Sequence, residues 1–504
     1  MKRLLGIDVG TGGTRAVLLG ETGRVVSTAD AEHAAMASPK IGWAEQDPQD
    51  WWGAACLAIK ECLAKGGVSS GRVDAIGVTG QMHGLVLLDE QDNVLRPSII
   101  WCDQRTEEQC REITRRVGAQ RLIKLVANPA LTGFTLPKIL WVREHEPTIW
   151  ARVRSILLPK DYVRFRLTGA KATDVADASG TLLFDVVNRR WSAEMLKIFD
   201  LKPDILPKVF ESPEIASHVS QEGAAATGLS EGTPVAAGAG DQAAGAVGMG
   251  IVAPGDVSAT IGTSGVVFAA TSKPVLEPEG RIHTFCHAVP GRWHVMGVTQ
   301  GAGLSLRWFR DQLGAELGGK KESYEELTKA AEKAPPGSDG LLWAPYLMGE
   351  RTPHLDPNAK GALVGITAQH TRAHVVRAIL EGVAFSLKDT FALFGVLGVP
   401  VNSVRLGGGG ARSPLWQQIQ ADVYGIPVDL VAAEEGGAYG AGLLAGVGVG
   451  AWASVDAACK VAVRVAKRVE AIPQNVDLME RQYQEFRKIY PALRSVARAS
   501  GAAN

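Results

Sequence analysis

Apolar runs alternate with glycine-rich punctuation from the start of the chain. Leu4 to Asp8 reads as a buried strand, Val9-Gly-Thr-Gly-Gly13 as a turn and Thr14 to Leu19 as a second strand; Gly20 to Gly23 then turns into a third strand over Arg24 to Thr28. The pattern predicts an antiparallel meander whose first turn is rich in Gly and Thr. Turns of this kind aim successive backbone N–H groups into one concavity, which suits a phosphate. Asp47-Pro48 begins a helix, with a capping acid and a proline in the first turn, that runs to about Lys65 and ends at Gly66. A strand over Val73 to Thr79, the loop Gly80-Gln-Met-His-Gly84 and a strand over Leu85 to Asp89 follow. Helices are expected near Leu136–His145 and Lys160–Leu167.

Beyond Pro234 the pattern returns. Thr233 to Gly240 is strand-like, Asp241 opens a small helix, and Asp256–Ile261, Gly262-Thr-Ser-Gly265 and Val266–Ala270 repeat strand, Gly-Thr turn and strand. Ile7-Asp-Val-Gly-Thr-Gly-Gly13 aligns with Ala259-Thr-Ile-Gly-Thr-Ser-Gly265, so two α/β domains of common design are expected, facing each other. Val404 to Pro414 is strand, glycine loop and helix, with Ser413 as N-cap and Pro414 as the first helical residue. Such a loop suits a nucleotide at the helix N-terminus, or is merely a tight turn. Ala334 to Gly340 reads as an exposed loop, the uncharged Gly436–Val455 stretch as a tightly packed buried helix, and the chain after about Gly450 as a helical, basic peripheral layer.

In Ala236 to Gly250, otherwise built of small apolar residues, Asp241 and Gln242 are the polar exceptions. A carboxylate in such a run needs a reason. The plain one is a helix cap reaching Ala243. The other is a ligand site, where small neighbours let a substrate approach.

Composition narrows the field. The 504 residues are enough for more than one domain, and Lys+Arg and Asp+Glu both total 53, which gives no reason to expect nucleic acid or an anionic membrane as partner. The six cysteines form no CxxC pair and have no histidine at zinc spacing, so reduced thiols and a cytoplasmic location are expected. Met1 to Asp8 is too short, and too soon interrupted by Asp8, for a signal peptide.

Two Gly-Thr hairpins, a glycine loop and two carboxylates, Asp8 and Asp241, suit phosphoryl transfer. That chemistry needs positioning, charge neutralisation and a base for the attacking hydroxyl. Gly133-Phe-Thr-Leu-Pro-Lys-Ile-Leu-Trp-Val-Arg-Glu-His145, and Gly361-Ala-Leu-Val-Gly-Ile366 followed by His374 to Glu381, resemble the two signatures of the FGGY carbohydrate kinases. The likeness runs from about residue 3 to about 490 and is strongest to members that phosphorylate D-xylulose, through Gly80–Gly84, Trp101-x-Asp-x-Arg105, Leu158–Tyr162, Gly262–Gly265 and Gly349–His354.

The resemblance implies two ribonuclease-H-like α/β domains of the actin/hexokinase ATPase type, divided at about 1–248 and 249–504, with ATP and Mg²⁺ in the cleft between them. It implies Asp241 as general base, Gln242, Met82, His83 and Trp101 as sugar contacts, and Asp8 as the acid near metal and phosphates. Thr11, Gly12 and Arg15 fall on the first phosphate hairpin, Gly262, Thr263 and Ser264 on the second, and Gly409 and Gly410 on the loop near adenosine. Gly12 stands where the family commonly has Ser, and Ser413 near where some relatives place Asn.

Plainer readings stand beside these. Asp103 and Arg105 equally suit a mutual ion pair, Trp101 suits core packing, Lys160-Asp161 a surface pair, and Glu350-Arg351 structural groups at the cleft rim. Trp51 and Trp52 occupy neighbouring helix positions and cannot both face one core, so one is expected at an interface; the resemblance implies a homodimer as the candidate assembly. The expected reaction is ATP-dependent phosphorylation of D-xylulose. The alternatives are another pentulose or polyol, such as ribulose or glycerol, or a nucleotide-dependent regulator without sugar chemistry.

Overall fold

The computed structural model describes residues 2–68, 73–314, 322–433 and 436–501. The first meander forms as the alternation predicts, with β1 (Arg3–Val9), β2 (Gly13–Gly20) and β3 (Val25–Glu32) pairing antiparallel in sequence. β4 (Ala75–Gly80) lies parallel to β1 on its other side, so Asp8 stands opposite both Arg15 and Thr79. β5 (Ile215–His218), β6 (Pro234–Ala236) and β7 (Ala239–Gly240) complete this sheet, in the order β5-β6-β4-β1-β2-β3 with β7 also on β4. The single strand expected over Thr233–Gly240 is split, because Gly238 takes φ +78° and a Cβ there would lie 1.8 Å from the Val78 carbonyl oxygen.

The second sheet repeats the design. β8 (Asp256–Ile261) and β9 (Gly265–Thr271) form its hairpin, and β10 (His283–Cys286) and β11 (Trp293–Thr299) extend it antiparallel. β12 (Ser403–Gly408) lies parallel to β8, and β13 (Val428–Val431) to β12. The order is β10-β11-β9-β8-β12-β13-β14, where β14 (Val465–Val469) is an antiparallel edge strand in the region expected to be helical. Its Lys and Arg hide the strand signal, since charged residues suit an exposed edge.

α1 (Pro48–Lys65) starts as expected, with the Asp47 side chain accepting from the Gln49 N–H at 2.9 Å. It packs on β2 and β3 with one face and on α3 (Pro159–Thr168) with another. Both tryptophans are therefore covered, Trp51 at 0% and Trp52 at 8% exposure, and neither is left for an interface. Arg166 of α3 stacks over Trp52. The Lys160-Asp161 pair is not on the surface either. Both are fully buried in a five-residue ionic cluster in which Lys160 Nζ reaches Asp161 at 2.6 Å, Asp174 at 2.9 Å and Asp177 at 3.6 Å, while Arg164 holds Asp161 at 2.8 Å. The Ala334–Gly340 loop is only partly exposed. Glu381 accepts from the Gly337 N–H at 3.0 Å and the Ser338 hydroxyl at 2.9 Å, so Ser338 is buried.

Two helices join the halves. α2 (Asp241–Gly248) follows β7, and α4 (Gly436–Gly448), from the second half, packs on α2, β1 and β4. Its small residues bring backbones together: a Cβ at Gly6 would lie 1.8 Å from the Ala438 carbonyl oxygen. That explains an uncharged helix without bulky aliphatics, and no described helix is long and apolar enough to cross a membrane.

Candidate active site

Each hairpin turn sits at the end of the central strand of its sheet. In the first, the Gly10 N–H donates to the Gly13 carbonyl at 3.0 Å. Buried glutamines fix it from behind: Gln46 Nε2 donates to the Thr11 carbonyl at 2.7 Å, and Gln81 Nε2 donates to Gln46 Oε1 at 2.9 Å. Trp51 Nε1 also donates to Gln46 Oε1, at 3.2 Å. Gln46 and Gln81 had no expected role, although Gln81 lies inside the Gly80–Gly84 motif. A buried amide among apolar strands was the available signal. A Cβ at Gly12 would meet nothing within 4 Å.

In the second hairpin, the Gly262 N–H donates to the Ser264 carbonyl at 2.9 Å. The Gly303 and Leu304 N–H groups donate to the Gly262 and Thr263 carbonyls at 2.9 and 3.0 Å, which pins the turn to the next helix. Gly262, Thr263, Gly409, Gly410 and Ser413 share the wall of one cavity of about 530 Å³. Ser413 caps the helix Pro414–Tyr424, accepting from the Trp416 N–H at 3.3 Å, as expected. Gly410 packs so closely on Ile261 that a Cβ would lie 2.6 Å from that side chain.

Asp8 faces a second cavity, of about 390 Å³, lined also by Gly12, Arg15, Gly436 and Gly437. Its Oδ1 is buried without a hydrogen-bond donor, and burial pushes its pKa up to about 6 against the pull of the Arg15 charge. Arg15 itself pairs with Asp30 at 2.7 Å on the rim. A desolvated carboxylate oxygen with no donor fits a hard cation. Among the described residues no group of three or more His, Cys, Asp or Glu side chains could hold a metal, and Mg²⁺ ordinarily takes only one or two carboxylates, with phosphate and water completing its shell.

Asp241 is the first residue of α2, half-buried, and Gly240 occupies the cap position with no side-chain cap bond. The helix-cap reading of Asp241 is thereby corrected: its carboxylate is one residue too far along. Burial raises it to about 7, Asp8's charge adds to the rise, and hydrogen bonds from Gln242 oppose it. Met82 lies over Gly240, where a Cβ would meet Met82 Cγ at 2.8 Å, so the Gly80–Gly84 loop touches the start of the Asp241 helix.

His83 takes φ +68°, an uncommon backbone state for this residue, held by its neighbours. Its carbonyl accepts from Lys138 Nζ at 2.9 Å and from the Thr135 hydroxyl at 3.1 Å. Its ring meets Phe134 edge-on at 4.9 Å, and Nδ1 lies 3.0 Å from the Gly180 carbonyl, an acceptor that places the proton on Nδ1. Burial, then the charges of Lys138 and Arg351, lower His83 to about 3, so the ring is neutral with Nε2 as an acceptor. Lys138 and Gly180 were not foreseen as site residues.

Trp101 is 47% exposed, not core, and donates its indole N–H to Thr11 Oγ1 at 2.9 Å. Asp103 and Arg105 do pair, at 2.7 Å, and Asp103 also accepts from the Ala44 N–H at 2.6 Å, which makes them a tether for the Trp101 loop.

Residues 3–248 match the N-terminal domain, and 257–449 the C-terminal domain, of the FGGY family of carbohydrate kinases. The chain belongs to the FGGY carbohydrate kinase family. It is similar to the xylulose kinase of Bacillus subtilis (strain 168), 39% identical over 97% of both chains, and to that of Escherichia coli (strain K12), 42% identical over 88% of this chain and 89% of that one. The crystal structure of xylulose kinase from Rhodospirillum rubrum superposes with a TM-score of 0.91 at 31% identity, covering 99% of this chain and 100% of that one. The two-domain α/β architecture expected from the repeated hairpin is the FGGY kinase fold.

Proposed function

We propose that this FGGY kinase transfers the γ-phosphoryl group of ATP to the terminal hydroxyl of D-xylulose, giving D-xylulose 5-phosphate and ADP. The observation that carries the reading is Asp241: a half-buried carboxylate raised to about 7, at a helix start touched by the Met82-His83 loop. A base of that strength is matched to a hydroxyl proton near neutral pH.

In this reading the sugar lies along Met82, His83, Trp101 and Gln242, with its terminal hydroxyl at Asp241. Asp241 takes the hydroxyl proton as the oxygen attacks phosphorus, and the bond to the ADP oxygen breaks. Thr11, Gly12 and Arg15 on one side, and Gly262, Thr263 and Ser264 on the other, hold the phosphates. Gly409 and Gly410 line the nucleoside cavity, whose 530 Å³ suits a purine nucleoside. Asp8 would hold Mg²⁺, which when bound neutralises phosphate charge. The division near 248/249 assigns Asp8, the sugar loops and Asp241 to one domain and the nucleoside cavity to the other. Closure of the two around both substrates excludes water from the transfer.

A coupled ADP-release assay on D-xylulose, D-ribulose and glycerol tests the proposal. D-xylulose is expected to give the highest kcat/KM. A higher value for ribulose or glycerol would move the substrate elsewhere in the family, and ATP binding without sugar-stimulated ADP release would make the chain a regulator.

A further inference from the structure

Arg351 is a cation whose guanidinium makes no ion-pair contact among the described residues, although the charge of the adjacent Glu350 acts on it. It is partly buried, and among the described residues its guanidinium makes one hydrogen bond, from Nη1 to His283 Nε2 at 3.1 Å, and no contact to a carboxylate. The adjacent Glu350 does not serve. Its carboxylate faces the other way, accepting from Thr299 Oγ1 at 2.5 Å, the Gln300 N–H at 3.0 Å and the Arg351 N–H at 2.7 Å. A partly desolvated guanidinium carries five N–H donors, and one bond to a neutral imidazole leaves most of them unused.

The arm that carries it is rigid. The Thr352 N–H donates to the Val298 carbonyl at 3.0 Å, the Thr352 hydroxyl donates to the Arg281 carbonyl at 2.7 Å, and the Val298 N–H donates back to the Thr352 hydroxyl at 3.1 Å. The partner imidazole is oriented too. Asn128 Nδ2 donates to the Thr284 carbonyl at 2.8 Å, so its Oδ1 faces His283 Nδ1 at 3.2 Å as an acceptor. His283 Nδ1 must then carry the proton, and Nε2 accepts from Arg351. Asn128, His283 and Arg351 form one directed chain across the two halves of the molecule.

That chain ends beside the sugar loop. Phe134 stands edge-on to both His83, at 4.9 Å, and His283, at 5.5 Å, and the charge of Arg351 acts on His83. His83 offers an acceptor at Nε2 and Arg351 offers only donors. A 1-hydroxy-2-ketone end of a sugar has the complementary pair, a hydroxyl that donates and a carbonyl that only accepts.

Resting on the D-xylulose reading, we propose that Arg351 reads the ketose end of the substrate, donating to the C2 carbonyl while His83 Nε2 accepts from the C1 hydroxyl. Asn128 and His283 are positioning residues for it. Met82 lies against Gly240 and so joins this loop to the Asp241 helix; on this proposal the ketose end of the sugar meets the loop and its terminal hydroxyl meets the helix.

The test compares wild type and Arg351→Met for the KM of D-xylulose, the KM of ATP and the inhibition constant of xylitol, the carbonyl-reduced sugar. Loss of charged donors to the carbonyl is expected to raise the D-xylulose KM about tenfold or more while xylitol and ATP shift by less than about threefold. A merely structural role would raise D-xylulose and xylitol constants together, and a phosphate role would raise the ATP KM alone; either overturns the proposal. If Arg351→Met gives no cooperative melting, Arg351→Gln, which is polar but removes the charge, is measured instead, and an unchanged ratio of D-xylulose to xylitol constants in that variant overturns it equally. Wild-type turnover of D-xylulose tests the underlying reading by itself; should another ketose be the better substrate, the same contrast is run with that ketose and its alditol.

Discussion

Asp8 and Asp241 are coupled: the charge on Asp8 is, after burial, the next cause that lifts Asp241 to about 7, while Asp8 itself stands at about 6. Asp8 ionises first, and its charge makes the second proton harder to remove. In the proposed reaction the two carboxylates take different tasks, Asp8 as an anion on the phosphate side and Asp241 as the base for the hydroxyl.

A pH dependence follows directly. As the proposed base, Asp241 must be deprotonated, so kcat/KM for the sugar is expected to rise with pH and level off above about 7, falling about tenfold per unit on the acid side. Compensation of Asp8's charge in the loaded enzyme lowers the proton affinity of Asp241, so the acid limb of kcat should lie below that of kcat/KM. Initial-rate profiles from pH 5 to 9 measure both, and coincident limbs near pH 4 would remove the coupling.

The same raised value has a stability consequence of known sign. Asp241 binds its proton more tightly folded than unfolded, so its favourable contribution is present below the ordinary carboxylate range and is lost as pH rises through about 7. Asp241→Asn should therefore stabilise the ligand-free protein at pH 8 relative to wild type, by on the order of 1 kcal/mol after allowance for solvent in the open site, and by less at pH 5. Thermal melting at the two pH values checks this; a gap that shrinks as pH rises would contradict it.

Gly12 and Gly437 line the same cavity but should respond oppositely. At Gly12 there is open space, so Gly12→Ser is expected to add a hydroxyl contact and lower the KM for ATP severalfold, in line with about 0.5–1.5 kcal/mol for one neutral hydrogen bond. At Gly437 a Cβ would lie 2.7 Å from Asp8 Oδ2. Gly437→Ala should displace Asp8 and raise that KM. ATP titrations at fixed sugar measure both variants.

Much of the fold was legible because its punctuation is local. The two Gly-Thr hairpins, the Asp47-Pro48 helix start and the Ser413-Pro414 start each depend on neighbouring residues. What was not legible depends on partners far along the chain. Lys160 looks like a surface residue until Asp174 and Asp177 arrive from a later strand and helix. Trp52 looks free until α3 covers it. Arg351 reads as rim structure until its bond to His283, whose ring meets Phe134, and its charge acting on His83 connect it to the Met82-His83 loop. The proposed contacts were named from the motif, but the residues that hold them, Lys138 and Gly180 for His83 and Gln46 for Thr11, emerge only from the packing.

The buried cluster makes its own prediction. Lys160→Met leaves Asp161 with Arg164 alone and takes from Asp174 and Asp177 the cation they contact, in a fully buried setting. Breaking such a set by removing one partner is expected to cost about 3–5 kcal/mol, read as a large fall in the melting midpoint. An unchanged midpoint would return Lys160 to the role of a surface residue.

The most direct test of the phosphoryl-transfer proposal is single-site kinetics on Asp241→Asn, with D-xylulose binding measured in parallel by calorimetry. The expected result is a loss in kcat of about 10²–10⁴-fold with the sugar dissociation constant changed less than about threefold. Turnover close to wild type in a variant that binds D-xylulose normally would contradict the assignment of Asp241 as the base.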